Sequence, residues 1–236
     1  ARRPVVHKVG PDDVVRAART VGIDGRLRPQ VDRHRAALHA LPGRRDIEDG
    51  RNLQLPIYAA AAGAWDAVRC IRDLEAFRPE FVEQPVKMRE RAALAEITRS
   101  VDVPIMADES VFDPEDALEG ARTRIADIFS LKIMKSGGIR RALEVAAIAR
   151  AAGIEVYGGC MFETSIAHAA GAHLMAAVPD LTLGCEFYMS TYYAEADIAT
   201  NHFPVRGGEV HLPTAPGLGV VPDPDKLAPY RTALFE

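Results

Sequence analysis

Cysteine is scarce in this chain. Cys70, Cys160 and Cys185 are the only three in 236 residues, and no two form a CxxC pair. That excludes a disulfide framework and a thiolate zinc site, and it fits a reducing cytoplasm. Long hydrophobic runs are missing as well, so no segment reaches membrane-spanning length and no membrane partner is expected. Ala1-Arg2-Arg3-Pro4 opens no signal peptide, and a chain starting with Ala rather than Met predicts a segment removed ahead of it. Histidines with metal-ligand spacing on a helix are lacking, since His168 and His173 stand five apart. Basic excess is also small: residues 1–51 hold 12 Lys/Arg against 7 Asp/Glu in a chain of net charge −4. With no recognition motif beside it, that surplus reads as a solvated arginine-rich face, and no nucleic-acid partner is expected.

What is present is an ordinary globular composition, with 48% apolar and 26% charged residues. The length suits one well-buried domain and is close to that of a single barrel. Three short apolar runs each end in a charge: Phe81 to Glu83, Pro104 to Asp108, and Ile128 to Lys132. The separations of 25 and 24 residues match one β/α repeat. As neighbouring parallel strands, the runs would set Glu83, Asp108 and Lys132 side by side at the C-terminal mouth, where barrels carry their chemistry. A single charged strand end is usually only solvated. Three in register are different, because buried carboxylates and a buried amine need partners. Two carboxylates and a lysine at one rim point to a divalent cation beside an acid/base group.

The remaining elements keep the period. Val5 to Lys8 is a short run; Leu27 to Asp32 and Leu53 to Ala59 are weakened as strands by Pro29 and Pro56. Helical spacing runs from Trp65 through Val68, Ile71 and Leu74. Asp113-Pro114-Glu115-Asp116 opens another helix, with Pro at its first position and acids in its first turn. Ser136-Gly137-Gly138 turns into a helix from Ile139, and Gly153 ends it. Ile154 to Tyr157 is the next strand, Thr164 to Val178 an alanine-rich helix, and Leu181 to Cys185 a last strand with Glu186 at its end. Strand ends thus fall near 8, 32, 58, 83, 108, 132, 158 and 186, which predicts an α/β fold of the (β/α) TIM-type barrel, parallel strands with outer helices. No linker interrupts it, so residues 1–236 read as one barrel domain, with 1–64 the divergent part. The pairs Gly137-Gly138 and Gly158-Gly159 also suit a phosphate cradle, a weak signal by themselves.

Phe-Val-Glu-Gln-Pro, Pro-Ile-Met-Ala-Asp-Glu-Ser, Leu-Lys-Ile-Met-Lys-Ser-Gly-Gly and Tyr-Gly-Gly-Cys-Met-Phe-Glu-Thr-Ser-Ile together resemble the muconate-lactonizing subgroup of the enolase superfamily. Leu-Gly-Cys-Glu-Phe-Tyr and Pro-Gly-Leu-Gly-Val in the tail add to the likeness, which runs from Trp65 to Tyr230. The resemblance implies that Glu83 and Asp108 are two of three carboxylate ligands for Mg²⁺ or Mn²⁺. It implies that Lys132 is the acid/base on one face of a small-molecule carboxylate substrate and that Glu186 lines the site. Lys8 resembles the second lysine of the family's Lys-x-Lys motif, the opposite-face acid/base, although the first lysine would fall on Val6. Asp32, one repeat after Lys8, is the expected third ligand. The competing segment, Ala59 to Trp65, has alanines where the family has Asp and Asn. Nothing in residues 1–50 resembles the family's N-terminal capping domain. A cycloisomerase acting on a muconate in aromatic catabolism is the implied activity, in a cytoplasmic homo-oligomer. A racemase, epimerase or dehydratase would use the same rim, and a non-catalytic barrel remnant is the reading from another class.

The implied chemistry needs these residue types. Proton exchange beside a carboxylate passes through an enolate-like state, whose charge a hard cation in a carboxylate cage stabilises. An amine serves as acid/base near neutral pH only where burial or a nearby cation lowers its pKa. Lys132 is therefore the expected proton carrier, and Lys135, beyond the strand end, is expected to be solvated.

Overall fold

The computed structural model describes residues 64–75, 78–179, 181–186, 196–200, 205–206 and 209–230. The strand ends expected near 8, 32 and 58, with Lys8 and Asp32, lie outside the described residues. Those described fall into two compact units. One comprises residues 64–110 with Thr123–Asp127, the other Val111–Arg122 with the chain from Ile128 onward.

In the first unit, helix α1 (Ala64–Glu75) buries Ala67, Val68 and Ile71. Trp65, expected on that stripe, is instead 69% exposed. It stands about 100° round the helix from the stripe's centre, so its i,i+3 relation to Val68 misleads. Strand β1 (Val82–Glu83) is followed by α2 (Arg91–Ser100), and β2 is Ile105–Ala107. The two strands pair in parallel, Val82 with Ile105 and Glu83 with Met106. Helix α1 packs on α2. Two side-chain bonds tie their ends: Arg72 donates to the Ser100 carbonyl at 2.8 Å, and Glu75 accepts from the Asp102 amide at 2.9 Å.

In the second unit, α3 (Pro114–Thr123) starts as its sequence predicts. Asp113 Oδ1 accepts from the Asp116 amide at 2.9 Å, satisfying a first-turn donor. Strand β3 (Ile128–Leu131) is wholly buried, as a strand covered on both faces requires. The strand stops at Lys132 as its spacing predicts, and beyond it Ile133–Ser136 forms the short helix α4, closed by Gly137 at φ 74°. Helix α5 (Ile139–Ala151) then leads to β4 (Glu155–Gly158), which pairs in parallel with β3 from Ile128↔Glu155 to Leu131↔Gly158. Helix α6 (Ser165–Ala177) buries seven residues, Leu174 completely.

The strand expected over Leu181 to Cys185 shrinks to one parallel bridge, Gly158 to Cys185. Gly184 adopts a left-handed φ of 78°, which breaks the extended run. Strands β5 (Val205–Arg206) and β6 (Glu209–Val210) form a small antiparallel pair, and α7 (Pro224–Leu227) follows the tail. Leu218 and Val220 of the tail pack with Ala169 and Ala172 of α6. No helix among the described residues is long and apolar enough to cross a membrane.

Gly158 marks the tightest packing at the end of β4. A Cβ there would lie 2.6 Å from both Cys185 Cβ and Met175 Sδ. The methionine can yield, but the cysteine Cβ is fixed by its backbone. Gly158→Ala should therefore destabilise the chain by about 1–3 kcal/mol, the usual cost of overpacking. A urea unfolding midpoint that falls with an unchanged slope would bear this out, and an unshifted midpoint would refute it.

Candidate active site

The carboxylates Glu83 and Asp108 belong to the first unit. Glu83 is the last residue of β1 and pairs with Met106. Asp108 stands two residues after Met106, directly past the end of β2. Asp108 is only 6% exposed. Between the two chain segments lies Gln84, fully buried, with a left-handed φ of 39° that only a few per cent of non-glycine residues adopt. Its Oε1 accepts from the amides of Asp108 (2.9 Å) and Ser110 (3.1 Å). Its Nε2 donates to the Val86 carbonyl (2.9 Å) and to Ser110 Oγ (2.8 Å).

Two carboxylates at the ends of paired strands match the oxygen donors that Mg²⁺ or Mn²⁺ requires. Such a cation fits the donor set in kind, though two carboxylates do not fill a six-oxygen shell. Among the described residues no group of three His, Cys, Asp or Glu gathers to hold a metal.

Lys132, Glu186 and Glu163 belong to the second unit. Lys132 follows the last residue of β3 and is 6% exposed. Its aliphatic chain lies against the backbone of Gly159, where a Cβ would come within 2.6 Å of Cε and 2.9 Å of Cγ. Gly159 thus makes room for the lysine, and its amide bonds the Leu131 carbonyl at 3.0 Å. Glu186 is half-buried and its amide donates to the Gly158 carbonyl at 2.8 Å, which seats it beside the end of β4. Lys132 and Glu186 thereby flank one strand end. Lys135 corrects the expectation of a solvated side chain. Helix α4 turns it back, it is half-buried, and its Nζ donates to the Ser130 carbonyl at 2.8 Å.

Glu163 was not singled out by spacing, because it follows β4 by five residues rather than ending it. Burial pushes its carboxyl above the ordinary range, opposed by the Met161 amide and by the charge of Lys132. Behind it, α6 begins at Ser165 with no side-chain cap from Thr164. The cap comes instead from Asp197, buried, whose Oδ2 accepts from the Ser165 amide (2.9 Å) and hydroxyl (2.7 Å). His168 on the same helix is fully buried, and burial lowers its pKa against the opposing pull of Met161 and Asp197.

Residues 10–226 match the Enolase C-terminal domain-like family. The chain belongs to that family. It is 43% identical over 164 residues to chloromuconate cycloisomerase CbnB of Cupriavidus necator, covering 68% of this chain and 43% of that protein. The crystal structure of muconate cycloisomerase from Pseudomonas fluorescens superposes with a TM-score of 0.68 at 38% identity, over 72% of this chain and 47% of that one. The L-Ala-D/L-Glu epimerase of Bacillus subtilis, solved with substrate, gives 0.64 at 36% identity, over 69% and 45%. The chain spans about half the length of the curated relatives it matches. Family membership establishes the (β/α) barrel fold expected from the repeat. Lys8 falls just ahead of the family match and Asp32 within it.

Glu163 supplies a test with a definite sign. Its folded pKa is raised above the ordinary 4.5, so the folded chain holds this proton more tightly than the unfolded one. Above that value ionisation penalises the folded state; below it both states are protonated and the penalty vanishes. Glu163→Gln should melt above the parent at pH ~8, and the gap should close as the pH falls to ~4. Thermal scans showing no gain at the higher pH would refute the desolvated carboxyl.

Proposed function

We propose that this chain is the barrel part of a muconate-type cycloisomerase of aromatic catabolism that works with Mg²⁺ or Mn²⁺. The observation that carries the proposal is the run of strand ends. Glu83 ends β1, and Asp108 and Lys132 directly follow the last residues of β2 and β3, in a chain 43% identical over 164 residues to a chloromuconate cycloisomerase. Glu83 and Asp108 would hold the cation with Asp32 as third ligand. Lys132 would carry the proton, Lys8 would serve the opposite face, and Glu186 would line the site. We read residues 1–236 as one barrel domain, in a homo-oligomer of the cytoplasm that meets a small carboxylate and neither nucleic acid nor membrane.

The cation, when bound, would supply positive charge to the substrate carboxylate as negative charge develops there. The protein's own groups do the rest. A carboxylate oxygen of the muconate bonds to a carbon of the conjugated double bond, and the electron pair moves to the carbon alpha to the other carboxylate. Lys132 Nζ delivers a proton to that carbon and takes it back in reverse. Its stem lies against Gly159, where any other residue would crowd it. A second reading, racemisation or epimerisation beside a carboxylate, is favoured by the likeness to the L-Ala-D/L-Glu epimerase. It would use Lys132 in the same way and differ in what binds.

Deuterium exchange in D₂O at the carbon alpha to the carboxylate of a muconolactone, with Mn²⁺ supplied, tests the proposal. The parent should exchange, and Lys132→Ala should lose at least about 100-fold while still binding Mn²⁺. Lys135→Ala should exchange near the parent rate, because its amine is engaged by the Ser130 carbonyl. Asp108→Ala should lose Mn²⁺ binding by calorimetry, since a hard-cation cage loses charge and a ligand together. Equal exchange by the parent and Lys132→Ala would reject the lysine's role, and a silent parent would reject the activity.

A further inference from the structure

We infer that Gln84 is the positioning residue for the carboxylates Glu83 and Asp108, an inference that rests on the metal reading above. The strands themselves give little hold. β1 is two residues long and β2 three, and Asp108 lies beyond the last residue of β2. The final main-chain bond between them runs from the Gln84 amide to the Met106 carbonyl at 2.8 Å. Past that point the Gln84 side chain takes over. Its oxygen receives the Asp108 and Ser110 amides, and its nitrogen grips the Val86 carbonyl and Ser110 Oγ. Ser110 Oγ in turn donates to the Met88 carbonyl at 3.1 Å, extending the clamp along the turn after β1.

Three features separate this from a buried glutamine that merely satisfies backbone. First, four bonds use the whole capacity of one amide, two accepted and two donated. Nothing is left for a substrate, so Gln84 acts through its neighbours. Second, the network fixes the amide's orientation, because a flip would set its NH₂ against two amide N–H groups. Third, the backbone at 84 is left-handed, where glycine would be less strained. A glutamine is held there at a conformational cost that its side chain must offset. One bond goes to the amide of Asp108 itself, and the clamp residue adjoins Glu83. Residues that orient metal ligands typically change affinity 10–100-fold when replaced.

The geometry also specifies which cation notices. Mg²⁺ demands near-ideal octahedral geometry, whereas Ca²⁺ accepts flexible cages and longer bonds. Gln84→Met keeps the volume and removes all four bonds. Gln84→Asn keeps a buried amide but is one methylene too short to reach both amides. Calorimetric titration of the full 236-residue chain with Mg²⁺ and with Ca²⁺, below each variant's unfolding midpoint, reads the effect. Folded Gln84→Asn, and Gln84→Met where it folds, should bind Mg²⁺ about 10–100-fold more weakly, with Ca²⁺ affected less. A lowered unfolding midpoint with Mg²⁺ affinity kept within about threefold would make Gln84 structural only and overturn the inference. An equal fall for both ions would overturn it as well. Asp108→Ala, titrated alongside, separates the two levels. If the parent binds and Asp108→Ala does not, the metal reading stands whatever Gln84 does. If the parent binds neither ion, the metal reading falls and the inference with it.

Discussion

The hydrogen bonds that Gln84 receives from the amides of Asp108 and Ser110 hold together two turns that their strands cannot hold alone. A ladder two residues wide leaves the chain free to splay just where the carboxylates stand. A buried polar side chain with every donor and acceptor engaged closes that gap, and a fully satisfied network is the condition under which such a group stiffens a core. The left-handed backbone at Gln84 shows how strongly the surroundings determine its place. On the far side of β2, the Ile105 amide and carbonyl are both held by Asp127, through its side chain at 3.1 Å and its amide at 2.9 Å.

The second unit meets a related constraint by packing. Lys132 is a flexible side chain at a buried strand end, and Gly159 confines it by presenting backbone where any other residue would present a Cβ. Glu163 contributes a carboxyl whose burial opposes its ionisation. Asp197 then anchors the start of α6, two residues after Glu163, by capping it from 32 residues away. The loop that carries Glu163 is thereby fixed at its far end without any local cap.

Most of the second half of the chain was legible because its signals are local. The β/α period located β1 to β4, and Asp113-Pro114 announced α3 by its own chemistry. Apolar runs spaced one repeat apart put Glu83, Asp108 and Lys132 at strand ends, and each stands at or directly after the end of its strand. What escaped depends on contacts distant in sequence. Gln84 reads only as the residue after Glu83 until the turn at 108–110 comes beside it. Asp197 has no sequence relation to Ser165, and Lys135 reads as solvated until α4 folds it back on Ser130. Trp65 and the strand expected before Glu186 failed for a simpler reason. Spacing ignores which stripe has partners, and an apolar run does not reveal that Gly184 will turn left-handed.

In the proposed function, Glu83 and Asp108 share one hard cation. Anomalous diffraction from crystals of this chain grown with Mn²⁺ tests it most directly. A manganese peak should lie about 2.0–2.3 Å from a carboxylate oxygen of each residue, the range of hard-cation bonds to oxygen. A peak bound elsewhere, or one touching neither carboxylate, would contradict it.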